Sequence, residues 1–508
     1  MLAPALAGAA GIPKLQWTLR SDDLVTGQQI FYSMAMEKSG NIVVAGWGEG
    51  KGGKYWLVQR YSPKGARLWS DTTQIDAPES AAYAVAANPN GGFVAVGEVK
   101  PAKGGRYWLI QKYMAKGSLA WSRSHANQYG TDSWIQSVIF DSRGDVVAGG
   151  GEDLTGGGRV WRLRKFNGKT GGDVWSRMFA GPVQSDDGAD IAGLAAGRDG
   201  AFFAVGFQHE VGGGSSWVVR KLTSQGREAW LDVYAGVTQY ADARADRAIV
   251  EPDGSVITAG HELAAPWPDY DWVVRKTGPD GKLTWMRRFT GVGGKEDIPR
   301  TLARVPGGAL LMAGYQTEAV GERSWMVLRI DKEGRAKWKM SGVYSPYRCS
   351  YVNGAAITSD GGHFYLAGGP ATGWLLRKYA ATGGVEPGAG KFPNALFDTK
   401  SDFVNDVAKK ILAASAEALK ADPDIMFRVE GHADERGTEA LNYELGLQRA
   451  EQVAAFLESA GIPRGRMIIQ SFGETAPVSR GDGPDAWRKN RRVHLALLPL
   501  LRDEVGKK

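Results

Sequence analysis

Between Val429 and Ala450 the sequence VEGHADERGTEALNYELGLQRA places an acidic loop before a lone cation. An apolar run through Ile425, Phe427 and Val429 stops at Gly431 and gives way to a polar loop from His432 to Gly437, the pattern of a strand entering a turn. A helix is expected next. Thr438 is a capping residue, and Leu441, Leu445, Val453 and Leu457 recur at helical spacing on one face. Arg449 falls inside that apolar series, where an unpaired guanidinium costs on the order of several kcal/mol. Asp434, at the end of the strand, is its expected neighbour. Two chemistries are open to such a pair. It can be a plain salt bridge, or the two charges can be held apart to grip one zwitterion, the carboxylate taking an ammonium and the guanidinium a carboxylate through two parallel hydrogen bonds.

A second set of residues bears on that choice. GHADERG, then Asn442, Leu445 and Arg449-Ala450, then Asn490-Arg491-Arg492, resembles the OmpA-like peptidoglycan-binding domain, and within it the peptidoglycan-associated lipoprotein branch. The resemblance covers roughly Leu396 to Leu498. It implies non-covalent binding of the meso-diaminopimelate in peptidoglycan stem peptides, with Asp434 and Arg449 at the positions of the ligand-gripping pair. Phe397, Asp398, Asn442, Leu445, Arg491 and Arg492 stand at positions that line or support the pocket. It further implies a periplasmic location at the cell wall or outer membrane. The branch's lipid-acceptor cysteine has no counterpart among these residues.

Several elements must position this site. Asn394 to Thr399 reads as a first strand. Asp402 to Leu419 reads as an amphipathic helix with Phe403, Val407, Ile411 and Leu412 inward, Met467 to Ser471 as a third strand and Val493 to Leu497 as a fourth. The domain is thus expected over 395–500, with a charged tail at 501–508 and a Gly/Pro-rich linker at 383–394, ahead of it.

The rest of the chain is different in kind. The 508 residues include 70 glycines and 18 tryptophans, a pairing that suggests many turns and repeated aromatic anchors. A unit of about fifty residues recurs seven times, its third strand opened by Trp56, Trp108, Trp161, Trp217, Trp272, Trp325 and Trp374. A base stands four residues after each, from Arg60 and Lys112 to Lys378, and is expected to snorkel or to pair with turn acids such as Asp280 and Asp331. Upstream, a strand ends in glycine at Gly46, Gly97, Gly150, Gly206, Gly260, Gly314 and Gly368. Downstream, a glycine turn precedes a second tryptophan, as in Gly117 to Trp121. Four short strands per unit at this period are what a propeller blade requires.

The seventh unit lacks its fourth strand, for Pro387 interrupts it, and KLQWTLRS around Trp17 has the missing pattern. The expectation is therefore a multidomain chain: an all-β seven-bladed β-propeller at 14–382, closed by the N-terminal strand, followed by an α/β OmpA-like domain. The propeller part loosely resembles glycine-rich repeats of secreted bacterial proteins, including the delta-sixty type. NGKTGGDVW is similar to the blade repeat of quinoprotein dehydrogenases, but one cysteine, Cys349, cannot form the vicinal disulfide of many such enzymes. Residues 1–13 read as the remnant of a secretory signal or a disordered terminus.

Composition narrows the partners. Residues 391–508 carry 18 basic and 18 acidic side chains, so the excess of +7 is spread over the first 390. That is too dilute for a nucleic-acid surface, and no apolar stretch is long enough for a spanning helix. The six histidines have no metal-ligand spacing, and no nucleophile elbow or phosphate loop occurs. No catalytic residue, cofactor or metal is expected. A protein partner is expected on the propeller's longer loops, where Glu79, Asp132, Asp190, Asp246 and Asp297 stand near the starts of first strands. The alternative is a wall-tethered enzyme with a lyase or glycosidase site in the propeller mouth.

Overall fold

The computed structural model describes residues 12–497 apart from 21–27, 73–76, 182–188, 198, 212, 237–241, 264–269, 290–295, 318–322, 343–349, 359, 371–373, 385–391, 421–426, 480 and 482. The signal-like start, the tail at 501–508, most of the linker and Cys349 lie outside the described residues. Two compact units emerge, one of residues 16–381 and one of residues 382–508 with the short N-terminal stretch.

The first unit is all β. Its sheets are antiparallel and mostly four-stranded, with strands ordered as in the chain; Ser133–Phe140, Val146–Asp153, Arg159–Phe166 and Asp173–Ala180 form one of them. The strands from Gln29 to His125 count as one larger sheet only because Lys54 pairs with Glu79 in a single parallel bridge. The last sheet takes Ser350–Ile357, His363–Pro370 and Leu375–Gly384 from one end of the chain and Ile12–Arg20 from the other.

Each first strand carries a one-residue β-bulge opposite the recurring glycine of the second strand, which does not end there as expected but runs past it, as Val146–Asp153 does past Gly150. That bulge is why glycine recurs there. A Cβ on Gly150, Gly206 or Gly260 would lie 1.9 Å from a first-strand carbonyl oxygen, so no side chain can be accommodated. The seven third-strand tryptophans are all fully buried, which makes them packing anchors.

Fourth-strand tryptophans join one sheet to the next. The indole nitrogens of Trp121, Trp175 and Trp230 donate to the carbonyls of Gly168, Ser224 and Pro279, at 3.2, 3.2 and 2.9 Å. Trp17 does the same to Pro63, at 3.3 Å. Under each ring lies the turn glycine of the following sheet: Gly171, at φ +71°, would place a Cβ 2.7 Å from Trp121. Some of the recurring bases pair with turn acids, though with acids other than Asp280. Arg60 pairs with Glu37 at 2.6 Å, and Lys165 with Asp141 at 2.6 Å. These acids sit in the turn between first and second strands of the same sheet, while Lys221 and Lys378 donate to the Pro279 and Pro63 carbonyls of a neighbouring sheet. Asp331 is used instead to accept from the backbone of its own turn, at Glu333 and Arg335.

In the second unit the sheet order is Ala395–Leu396, Arg492–Leu497, Phe427–His432, Met467–Gly473, the last two parallel. Helices α1 (Asp406–Lys420), α2 (Glu439–Ser459) and α3 (Pro484–Asn490) accompany it. Thr438 caps α2 through its hydroxyl. The inward faces differ from those expected. Phe403, Val407 and Leu441 are exposed, and the core is built from Val404, Ala408, Leu412, Ala416 and Leu419 on one side and Ala450, Val453, Ala454 and Leu457 on the other. Alanine lets each helix approach the sheet closely, and that close packing outweighs the burial of larger side chains on the adjacent face. The first strand is shorter than Asn394–Thr399, and α3, within the basic stretch before the last strand, was not anticipated.

Candidate functional site

The close approach of α2 to the strand Phe427–His432 sets up the site. A Cβ on Gly431 would stand 1.8 Å from the Gly446 carbonyl, so only glycine lets the helix backbone rest on the strand. One turn further along α2, Arg449 reaches over the strand end. Its side chain is fully buried, yet among the described residues its hydrogen-bond partners are carbonyls and not an acid. Nε donates to Ser401 O at 2.8 Å, Nη1 to His432 O at 2.8 Å and Nη2 to Asp398 O at 3.1 Å. The guanidinium also lies 5.4 Å from the Phe397 ring centroid. Burial and the nearby Arg491 pull its pKa down to about 10, which leaves it charged at neutral pH.

Asp434 is also buried and is paired with Arg436 and Arg491, not with Arg449, so of the two arrangements open to the pair the plain salt bridge is absent and the charges are held apart. Its carboxylate accepts from Arg436, Nε at 3.0 Å and Nη2 at 2.9 Å, and from Arg491 Nη1 at 3.0 Å. Burial alone would raise this carboxyl, but the hydrogen bonds from Arg436 and Arg491 hold it down at about 2. Arg491 is fixed in turn by donating from Nε to Phe397 O at 3.0 Å. The site is therefore two opposite buried charges, each satisfied by other groups.

The remaining expected residues divide. Phe397 and Asp398 belong to the cluster, Phe397 as a buried ring and Asp398, exposed, through its carbonyl. Asn442 is buried against the loop at Gly437 and donates to Glu474, so it supports the loop. Leu445 is half-buried on α2. Arg492 points elsewhere: it donates to Ala476 O at 3.2 Å, and its charge is felt by His432 and Glu430. Arg491 is the C-cap of α3 and Arg492 the first residue of the last strand, so the two neighbours belong to different elements.

Three contributors were missed. Arg436, in the same loop as Asp434, is the carboxylate's main partner, and its guanidinium sits 4.2 Å from the centroid of the Trp487 ring. Trp487, from α3, donates to Glu435 at 2.9 Å. The two-residue spacing of Asp434 and Arg436 was the available signal; for Trp487 there was none. The turn Asp398–Ser401 lies over Arg449, and there Lys400 holds φ 56°, the one non-glycine with positive φ among the described residues. Such strain persists where surrounding contacts over-determine it.

This fold and site define an OmpA-type domain: residues 396–491 match the OmpA family, to which the chain belongs through this part. The peptidoglycan-associated lipoprotein of Legionella pneumophila is 34% identical over 151 residues, which covers 28% of this chain and 84% of that protein. That of Agrobacterium fabrum is 42% identical over 97 residues, 19% of this chain and 55% of its own length. The chain thus spans little more than half the length of several curated relatives it matches. Among solved structures, the peptidoglycan-associated lipoprotein from Burkholderia pseudomallei is 35% identical with a TM-score of 0.20, covering 20% of this chain and 88% of that one. The C-terminal domain of Helicobacter pylori MotB is 24% identical with a TM-score of 0.20, covering 21% and 84%.

Proposed function

We propose that this chain is a non-enzymatic peptidoglycan-binding protein of the cell envelope, periplasmic and associated with the cell wall or outer membrane, whose C-terminal domain grips the meso-diaminopimelate of stem peptides. The observation that carries this reading is that Asp434 and Arg449 are buried, opposite in charge, and not spent on each other. A guanidinium has five N–H donors, and Arg449 commits three to carbonyls. One N–H remains on each terminal nitrogen, the geometry that receives a carboxylate in parallel. The ligand's ammonium takes Asp434 by displacing Arg436, whose side chain is 40% exposed and already rests on Trp487, which can hold it once the carboxylate is released. Because Arg449 is fully covered, entry requires the strained Asp398–Ser401 turn to shift.

The same reading makes residues 14–382 a seven-bladed propeller. Support comes from seven buried tryptophans, a bulge in every first strand and the pairing of Ile12–Arg20 beside the last strand. Its longer loops then present a face for a protein partner. Among the described residues no helix is long and apolar enough to cross a membrane. The decisive experiment is co-sedimentation of the purified chain with isolated sacculi, with and without free meso-diaminopimelate. Asp434→Asn should lose most binding and free ligand should compete; retention of full binding by that variant would remove the site assignment.

A further inference from the structure

The repeat fixes most positions of each sheet but leaves one free. The residue pushed out by each first-strand bulge is Tyr32, Tyr83, Gln136, Ala192, Asp246, Arg300 and Asn353 in turn. Tryptophan and glycine recur at the structural positions, yet here seven sheets present six residue types. A bulge re-aims its side chain out of the ladder, so the repeat does not hold this position to one residue type. Four successive bulge residues, Gln136, Ala192, Asp246 and Arg300, line one cavity of about 750 Å³ within the first unit. That volume is in the range of specific small-molecule sites, about 300–1,000 Å³.

The charges in its wall are almost all compensated. Asp242 is held by Arg244 at 2.9 Å and by the Tyr270 hydroxyl at 2.8 Å, Asp246 by His261 at 2.8 Å, and Glu296 by Arg323. Arg300 is the exception: it is exposed and, among the described residues, has no acid within ion-pairing distance. Asp190, nearly buried, accepts from Trp134 at 2.9 Å and Gln136 at 3.2 Å on one oxygen, while its other oxygen has no partner. Burial lifts its carboxyl to about 7, so near neutrality it can either donate or accept.

These features select a ligand class. An apolar ligand would strip water from two ion pairs and the Asp246–His261 hydrogen bond without replacing it, at a cost of several kcal/mol. A polyphosphate or nucleic acid needs several uncompensated cations, and only one is present. A metal cation would find the Asp242, Asp246 and Glu296 carboxylates already taken and a single free oxygen on Asp190, too few ligands to hold it. Partnered carboxylates and guanidiniums retain spare lone pairs and N–H groups side by side, and a hydroxyl, donor and acceptor at once, satisfies both. We propose that this cavity binds a saccharide bearing one carboxylate, with the carboxylate on Arg300 and ring hydroxyls on the Asp242–Arg244, Asp246–His261 and Gln136 groups.

Such sugars come from two sources, the glycan strands of the wall and acidic polysaccharides outside it. Isothermal titration of the full chain with N-acetylglucosaminyl-N-acetylmuramic acid and with a glucuronic-acid disaccharide separates them. Neither probe carries a stem peptide, so the C-terminal site is not engaged and Asp434→Asn should leave the result unchanged. At least one acid should bind with a dissociation constant below about 1 mM. Its methyl ester, and the Arg300→Gln variant with the free acid, should each bind at least about tenfold more weakly; Arg300 is exposed, so its variant folds. Preference for one disaccharide identifies the source. Equal binding of acid and ester, unchanged affinity in Arg300→Gln, or no heat with either probe at about 10 mM overturns the proposal.

Discussion

Replacing Arg449 by alanine should damage the C-terminal unit and not simply silence its site. The guanidinium holds the carbonyls of Ser401, His432 and Asp398 from a fully buried position. Removing it leaves the buried His432 carbonyl and the part-buried Ser401 and Asp398 carbonyls without this donor and opens a void between α2 and the Asp398–Ser401 turn. Charge-assisted contacts and orphaned polar groups of this kind together amount to about 4 kcal/mol once partial rehydration is allowed. For a domain of about 100 residues that lowers Tm by roughly 20 °C. Calorimetry of the full chain should therefore show one transition moving while the transition of the β unit stays in place. Arg449→Lys should recover part of the loss, since the charge remains but one ammonium cannot serve three diverging carbonyls. A Tm change below about 3 °C for Arg449→Ala would refute the argument that this cation organises the turn. It also follows that sacculus binding should be judged on Asp434→Asn, because a failure of Arg449→Ala would confound unfolding with loss of the ligand contact.

Asp434 lies below its unfolded value, held at about 2, so its stabilisation is complete above about pH 4 and is lost as pH falls from there toward 2. After solvent screening this amounts to about 1–2 kcal/mol, and urea melts of wild type and Asp434→Asn should converge over that window; parallel pH dependence in the two would disprove it. Gly260→Ala drives a Cβ to 1.9 Å from Arg244 O and 2.6 Å from Trp217 and should cost at least about 3 kcal/mol. Gly104→Ala, at φ +92° with open space around it, should cost only about 1 kcal/mol, so equal melting temperatures for the two would break the bulge account. Trp17→Ala removes the hydrogen bond to Pro63 and the ring contact with Tyr365 at 5.9 Å; it should lower the Tm of the β unit and speed proteolysis near Arg20, and an unchanged Tm would show that Ile12–Arg20 contributes little.

What could be read from the sequence follows from how often the fold asks the same question. The β unit imposes one requirement seven times, so tryptophans and glycines stood out before any coordinates did, and so did the role of Trp17. What the repeat hides is its exceptions. The bulge shifts the register by a residue without altering the spacing of the surrounding pattern, and so Gln136, Ala192 and Arg300 looked like ordinary strand residues, while Asp190 and Asp246 stood out only as acids near the starts of first strands. In the C-terminal unit Arg449 was visible as a cation in an apolar series, but its partners are backbone carbonyls, which no residue type announces. The inward face of α2 was misjudged for a related reason. Asn442 and Gly446 occupy it where leucines were expected, because the helix must sit close enough to the strand for Arg449 to reach His432 O. The departures from hydrophobic patterning thus cluster where the geometry serves the site, and a glycine or asparagine on the core face of a helix marks that place better than the leucines beside it.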